Sequence, residues 1–293
     1  MTTSKIDTGH LFCFGYGYTA QLLARYLISK KWRVSASSRS GGVSQTMEGV
    51  SLKPFETLNA EDFHTATHIL ISIPPSTAGD PVLMENKNTL FEMSKNISWI
   101  GYLSATSVYG DAKGLLVSET SPLKPSNNRA KHRVLAEKSW LNLCSTYQLP
   151  VHIFRLAGIY GPHRNVFQRI KRGKTQVIDE PNIKFSRIHV EDIVKVLFAS
   201  MLKPAPGQVY NVCDDKAAIQ SDVLKYAAEL LQIALPKPVQ LEVARKNMSP
   251  VQENFWRDNK IVCNKKIKVD LGILLKYPTY EEGLLAIFKD HLF

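Results

Sequence analysis

Apolar residues along this chain fall into two alternating rhythms, short continuous runs and longer stretches at helical spacing. Leu11-Phe12-Cys13-Phe14 is a run, and Leu22, Leu23, Tyr26 and Leu27 follow it on one helix face. The next runs are Arg33-Val34-Ser35-Ala36-Ser37 and His68-Ile69-Leu70-Ile71-Ser72-Ile73, the latter halted by Pro74-Pro75. Trp99 to Ser104, Val151 to Leu156 and Val209 to Cys213 repeat the pattern, and a helix is predicted from about Asn128 to Thr146. Short apolar runs stopped by Gly or Pro read as buried strands. Strands that alternate with helical stretches predict an α/β fold with a doubly wound parallel sheet.

Beyond residue 160 the alternation breaks. Phe185 to Asp192 leads into a helix bearing Val194, Leu197 and Phe198. Leu235 to Pro250 carries three prolines and reads as an irregular connector, and Leu271 to Phe288 ends in an amphipathic helix. The expected organisation is a nucleotide-binding domain of residues 1–160 plus about 186–213. A smaller, interleaved substrate lobe takes about 161–185 and 214–293.

The turn after the first run carries the most chemistry. Gly15-Tyr16-Gly17-Tyr18-Thr19-Ala20 is a Gly-x-Gly-x-x-Ala string between a strand and a helix. Gly15 lets the chain turn sharply, Gly17 lets backbone approach a pyrophosphate, and Ala20 lets helix and strand pack closely. The first helical amides then face the phosphates, where the helix terminus favours negative charge. This predicts a Rossmann-type NAD(P) site, against a Gly-rich structural turn. The second strand ends at Ser38-Arg39, with no carboxylate between Lys30 and Gln45. An NAD site places an acid there for the ribose 2′-hydroxyl, whereas Ser38 with the Arg39 fork suits a 2′-phosphate. NADP is therefore expected over NAD. Ile73, Pro74 and Ser104, at the ends of the third and fourth runs, are expected to border the cofactor.

Composition narrows the partners. The net charge is +11 and the pI about 9.4. The basic residues are dispersed, with Lys30-Lys31-Arg33, Lys171-Arg172-Lys174 and Lys265-Lys266-Lys268 the densest groups. None makes a basic arm for nucleic acid, but the field attracts anionic ligands. Cys13, Cys144, Cys213 and Cys263 lack metal or disulfide spacing, and Cys13 and Cys213 read as buried. No apolar run reaches the ~18 residues of a membrane span, and residues 1–10 lack a signal-peptide core. A cytoplasmic protein is expected, with a small anionic substrate and a second copy of the chain as partners, and no metal.

Together these motifs resemble the extended short-chain dehydrogenase/reductase superfamily, of the NAD-dependent epimerase/dehydratase type, and within it the atypical YeeZ-like branch. The resemblance rests on the glycine turn, S-x-x-S-V-Y-G-D at 104–111 and R-L-A-G-I-Y-G-P at 155–162. It continues through R-I-H-V-E-D-I at 187–193 and V-Y-N-V at 209–212. The glycine turn departs from the superfamily's G-x-x-G-x-x-G at Phe14. The resemblance implies a catalytic Ser, Tyr and Lys, and counting from Val108 and Glu137 puts Ala105, Arg129 and Arg133 at those positions.

An arginine stays protonated and cannot exchange a proton as tyrosine does. Thr106, Ser107, Arg129 and Arg133 remain as candidate substrate-binding residues, and Tyr109 as a candidate acid beside an ordinary packing role. For Tyr160 and His189 packing is expected, and Asp214-Asp215 reads as a solvated turn. The expected activity is that of an NAD(P)-dependent oxidoreductase or epimerase-like enzyme. The alternative is a non-catalytic NADP(H)-binding sensor.

Overall fold

A computed structural model describes residues 8–39, 47–173 and 175–291. The stretch before residue 8 and Lys174 of the second basic group lie outside the described residues. Seven strands form one sheet: β1 (His10–Phe14), β2 (Arg33–Ser38), β3 (Val50–Pro54), β4 (His68–Ile71), β5 (Trp99–Ala105), β6 (Val151–Leu156) and β7 (Val209–Val212). Their order is β7-β6-β5-β4-β1-β2-β3. β1 runs parallel to β2 and β4, β2 to β3, and β4 to β5. This is the doubly wound parallel sheet that the pattern predicts, and its order reverses at β1. A ligand crevice of such a sheet opens beyond the strand carboxyl ends at the reversal point.

The principal helices are α1 (Tyr18–Ser29), α2 (Pro81–Glu92), α3 (Asn128–Tyr147), α4 (Val190–Leu202), α5 (Gln220–Leu231), α6 (Pro250–Arg257) and α7 (Tyr280–Lys289). The chain divides into two units. The first takes Met1–Ser104, Leu135–Phe154 and Leu197–Val209, and the second takes Ala105–Val134, Arg155–Val196 and Tyr210–Phe293. The boundaries differ from the expected ones because 105–134 is tied to the C-terminal part. Leu116–Val117 pairs in parallel with Ile261–Val262, and Asn259 N donates to Asp111 Oδ1 at 3.0 Å.

In the first unit Phe12, Phe14 and Phe63 pack with ring centroids 4.8–5.2 Å apart, beside buried Tyr102 and Trp140. Aromatic contacts of this kind each add ~1 kcal/mol beyond area burial. Asp80 joins helix start to core: its Oδ1 accepts from Val82 N and Leu83 N, and its Oδ2 from Trp140 Nε1 at 3.1 Å. Pro81 at the first helical position completes this N-terminus.

The second unit has its own core, in which Tyr160, Phe167, Leu224, Tyr280 and Leu284 are buried. Cys13 and Cys213 are buried, as expected. The expected connector at 235–250 instead holds a two-residue strand, Val239–Gln240, and a short helix, Leu241–Arg245. No helix among the described residues is long and apolar enough to cross a membrane.

Candidate functional site

The nucleotide turn is built in the first unit. Gly15 has φ +92°, and a β-carbon there would lie 2.6 Å from Ser72 Oγ, so only glycine fits. Ser72 Oγ donates to Gly15 O at 2.9 Å, and Gly15 N donates to Ser37 O at 3.1 Å. The turn is thus pinned to the ends of β2 and β4. Gly17 has the opposite surroundings: no atom lies within 4 Å of a β-carbon built on it. It is also the N-cap of α1, with no capping side chain and no acid in the first turn. The first turn of this twelve-residue helix thus carries no side-chain cap from Gly17 and no acid, as suits an anion at a helix start.

Thr19 and Ala20 are buried under this turn, Tyr18 is half-buried, and Tyr16 has a buried hydroxyl with no hydrogen-bond partner among the described residues. At the end of β2, Ser38 Oγ is likewise buried without a partner, and Arg39 beside it is exposed. Ile73 is half-buried and Pro74 exposed beyond β4. An uncovered glycine, uncapped amides and an orphaned hydroxyl fit a dinucleotide's phosphates and ribose.

Ser104 differs from its expected role. Its hydroxyl donates to Glu137 Oε1 at 2.5 Å, and both residues are buried. That bond commits the side chain to the interior rather than to a cofactor.

Tyr109 is packed in the interior. It is 2% exposed, its hydroxyl donates to Asn211 Oδ1 at 2.6 Å, and it accepts from Arg155 Nη1 at 2.9 Å. Burial raises its pKa, outweighing the pull of Arg155. It is a core tyrosine in a buried polar network. His189 and Tyr160 are buried too, with ring centroids 5.2 Å apart. Asp214 is no solvated turn residue: it is 3% exposed, and burial raises its pKa to about 8 against the pull of Arg187. Among the described residues no group of His, Cys, Asp or Glu gathers as a metal site.

Two cavities of the second unit share Phe255 in their linings. The first, of about 230 Å³, is lined by Ala105, Thr106 and Ser107, by Leu156 to Gly158 and by Lys184 to Ser186. Asn254, Phe255, Asp258, Lys260 and Val262 form its other wall. Three residues after Ser107 the chain turns at Gly110, whose β-carbon would stand 1.8 Å from Lys124 O. The second cavity, of about 280 Å³, is lined by Tyr160, Arg164, Arg169, Arg187, Phe255 and Tyr280 among others. It has three arginines and no carboxylate in its lining. Arg187 Nη1 donates to Phe185 O and Ala218 O, which holds its charge in the wall.

Thr106 and Ser107 thus reach a cavity, while Arg129 and Arg133 line neither. Arg129 is exposed and Arg133 half-buried, one turn apart on α3. Asp258, Lys260 and Phe255 have no counterpart in the sequence reading, because their segment has no readable period.

The fold is a Rossmann-type doubly wound parallel sheet. Comparison with known proteins narrows this. Residues 84–213 match the NAD dependent epimerase/dehydratase family. The chain is 29% identical over 280 residues to protein YeeZ of Escherichia coli K12, covering 90% of this chain and 94% of that one. A conserved protein of unknown function from Silicibacter pomeroyi superposes with a TM-score of 0.90 and 43% identity, over 97% and 99% of the two chains. The dTDP-glucose 4,6-dehydratase of Bacillus anthracis, solved with NAD, shares the fold at TM-score 0.76 and 19% identity, over 97% and 96%. Over residues 84–213 the chain is thus similar to the NAD dependent epimerase/dehydratase family.

Proposed function

We propose that this protein is an NADP-dependent oxidoreductase or epimerase-like enzyme acting on a small anionic substrate. The observation that carries the cofactor part is the end of β2, where exposed Arg39 follows Ser38, whose hydroxyl has no partner among the described residues. A planar guanidinium fork and a hydroxyl donor match a 2′-phosphate, and no acid is present to favour a free 2′-hydroxyl. The uncapped amides of α1 hold the pyrophosphate, and Gly17 leaves it room. When bound, the nicotinamide would supply hydride chemistry.

The cavity lined by Arg164, Arg169 and Arg187 supports an anionic substrate, since its lining is basic. Arg129 and Arg133 add positive field on α3 and draw such a substrate. Thr106 and Ser107 offer hydroxyls to it in the smaller cavity. A cytoplasmic location suits the four free cysteines.

Incubation with NADP⁺ or NADPH and a panel of nucleotide-linked sugars and phosphorylated carbonyl compounds, followed by NMR of the products, tests the activity. The reading expects at least one compound to be interconverted, with Arg39→Ala slowing it more with NADPH than with NADH. A panel unchanged by protein that binds cofactor would remove the enzymatic part.

A further inference from the structure

Three consecutive carbonyls of the glycine turn are held by protein donors. Ser72 Oγ donates to Gly15 O at 2.9 Å, Gln21 Nε2 to Tyr16 O at 3.0 Å, and Gln21 N to Gly17 O at 2.9 Å. The last of these is the first backbone bond of α1, but the bond to Tyr16 O comes from a side chain. Gln21 is half-buried, in the first turn of that helix, and its Nε2 is the only donor to Tyr16 O among the described residues.

These bonds also orient the amides. In a trans peptide the C=O and the N–H that follows it point in opposite directions. A carbonyl held toward a protein donor therefore turns the next amide away from that donor. The amides that follow the Gly15 and Tyr16 carbonyls are Tyr16 N and Gly17 N, and neither has a hydrogen-bond partner among the described residues. Successive backbone amides in a turn form a concavity for an anion, whereas a carbonyl oxygen rotated into it would repel one. The Tyr16–Gly17 peptide is the weak point of this arrangement. Glycine has wide backbone freedom, and nothing lies within 4 Å of a β-carbon built on Gly17, so no packing restrains it there.

We propose that Gln21 is a positioning residue for the dinucleotide, whose carboxamide holds the Tyr16 carbonyl so that the Gly17 amide is presented to the pyrophosphate. The inference rests on the cofactor reading above and deepens it by naming the side chain that sets the turn. Gln21 itself touches the turn and not the phosphates, so its effect falls on the pyrophosphate alone. The adenosine end of the cofactor is unaffected.

Isothermal titration with NADPH and with adenosine 2′-monophosphate, which has the 2′-phosphate but no pyrophosphate, tests this. Gln21→Met keeps the length and helix preference of the side chain and removes the donor, and Gln21→Ala removes the side chain altogether. Both variants are expected to bind NADPH about fivefold more weakly than wild type, the share of one hydrogen bond. Their affinity for adenosine 2′-monophosphate and their urea unfolding midpoints should match wild type. Unchanged NADPH affinity in both variants would overturn the proposal and leave the cofactor reading standing. Equal weakening of both ligands, or a lowered midpoint that accounts for the loss, would overturn it by making Gln21 a structural residue only. Wild-type protein that takes NADPH but not adenosine 2′-monophosphate would contradict the 2′-phosphate reading, and the NADPH loss at an unchanged midpoint would then support Gln21. No binding of NADPH by the wild type would overturn the cofactor reading and this proposal with it.

Discussion

Ser104 Oγ donates to Glu137 Oε1 at 2.5 Å, joining the end of β5 to the middle of α3 through two buried side chains. Leaving a buried carboxyl oxygen short of a donor adds a desolvation cost to the lost hydrogen bond. Ser104→Ala is therefore expected to lower unfolding stability by about 1–3 kcal/mol in urea denaturation. NADPH affinity should be unchanged. A variant that kept its stability and lost the cofactor would return Ser104 to the cofactor site.

The two glycines of the nucleotide turn should separate stability from binding. Gly15→Ala places a β-carbon 2.6 Å from Ser72 Oγ at a positive φ, so the fold itself is strained. A loss of roughly 1–3 kcal/mol is expected in thermal or chemical unfolding. Gly17→Ala has an allowed backbone, φ −85°, and nothing nearby to strike. It should leave stability almost unaltered and weaken NADPH binding, because its methyl enters the space of the pyrophosphate. Equal effects of both substitutions on binding and stability would contradict this division.

Tyr109→Phe removes a hydroxyl that donates to Asn211 and accepts from Arg155. Both partners are buried, so the expected cost is about 1–3 kcal/mol of stability, read from denaturant midpoints. Turnover of any substrate found should persist. Intact stability with activity abolished would restore Tyr109 as an acid.

Stability should depend on pH through buried groups of opposite sign. Burial pushes the pKa values of His68, His152 and His189 down to about 4, from 6.5. The unfolded chain takes up these protons first, so their contribution is full above pH 6.5 and is lost as pH falls toward 4. Each histidine accounts for roughly 3 kcal/mol at most across that window. His152 shows why: Ala205 N donates to its Nε2 at 2.8 Å, a bond that a proton on that nitrogen would break. Asp214 acts in reverse. Its folded pKa of about 8 exceeds the 3.8 of the free group, so its contribution falls as pH rises from about 4 to 8. Melting temperatures measured from pH 4 to 8 should show the alkaline-side loss vanish in Asp214→Asn and the acid-side loss shrink in His152→Gln.

Much of this architecture was legible because its signals are local. β1, the Gly-x-Gly turn and α1 are contiguous, and each carries its own periodicity or small-residue requirement. The edge strand β3 is absent from the sequence reading because Val50-Ser51-Leu52-Lys53-Pro54 alternates over only five residues and ends in proline. α2 is absent too, since only Val82, Asn86 and Leu90 of its length are buried. The Asp80-Pro81 cap was its readable signal.

The cavity residues were hidden for a different reason. Asp258 and Lys260 join Thr106 and Ser107 through the pairing of Ile261–Val262 with Leu116–Val117 and the Asn259–Asp111 hydrogen bond, relations between distant segments. Ser104 and Tyr109 were misleading in the opposite way. Their sequence positions are those of site residues, but the partners that engage them, Glu137 and Asn211, are remote in the chain.

The central claim is that the turn around Gly15 and Gly17, with Ser38 and Arg39, binds a phosphorylated dinucleotide. Isothermal titration of the purified protein with NADPH, NADP⁺, NADH and NAD⁺ tests it most directly. Tighter binding of the phosphorylated pair, with the preference erased in Arg39→Ala, is the predicted result. Preference for NADH and NAD⁺ would contradict the 2′-phosphate assignment, and binding of none of the four would contradict the nucleotide site itself.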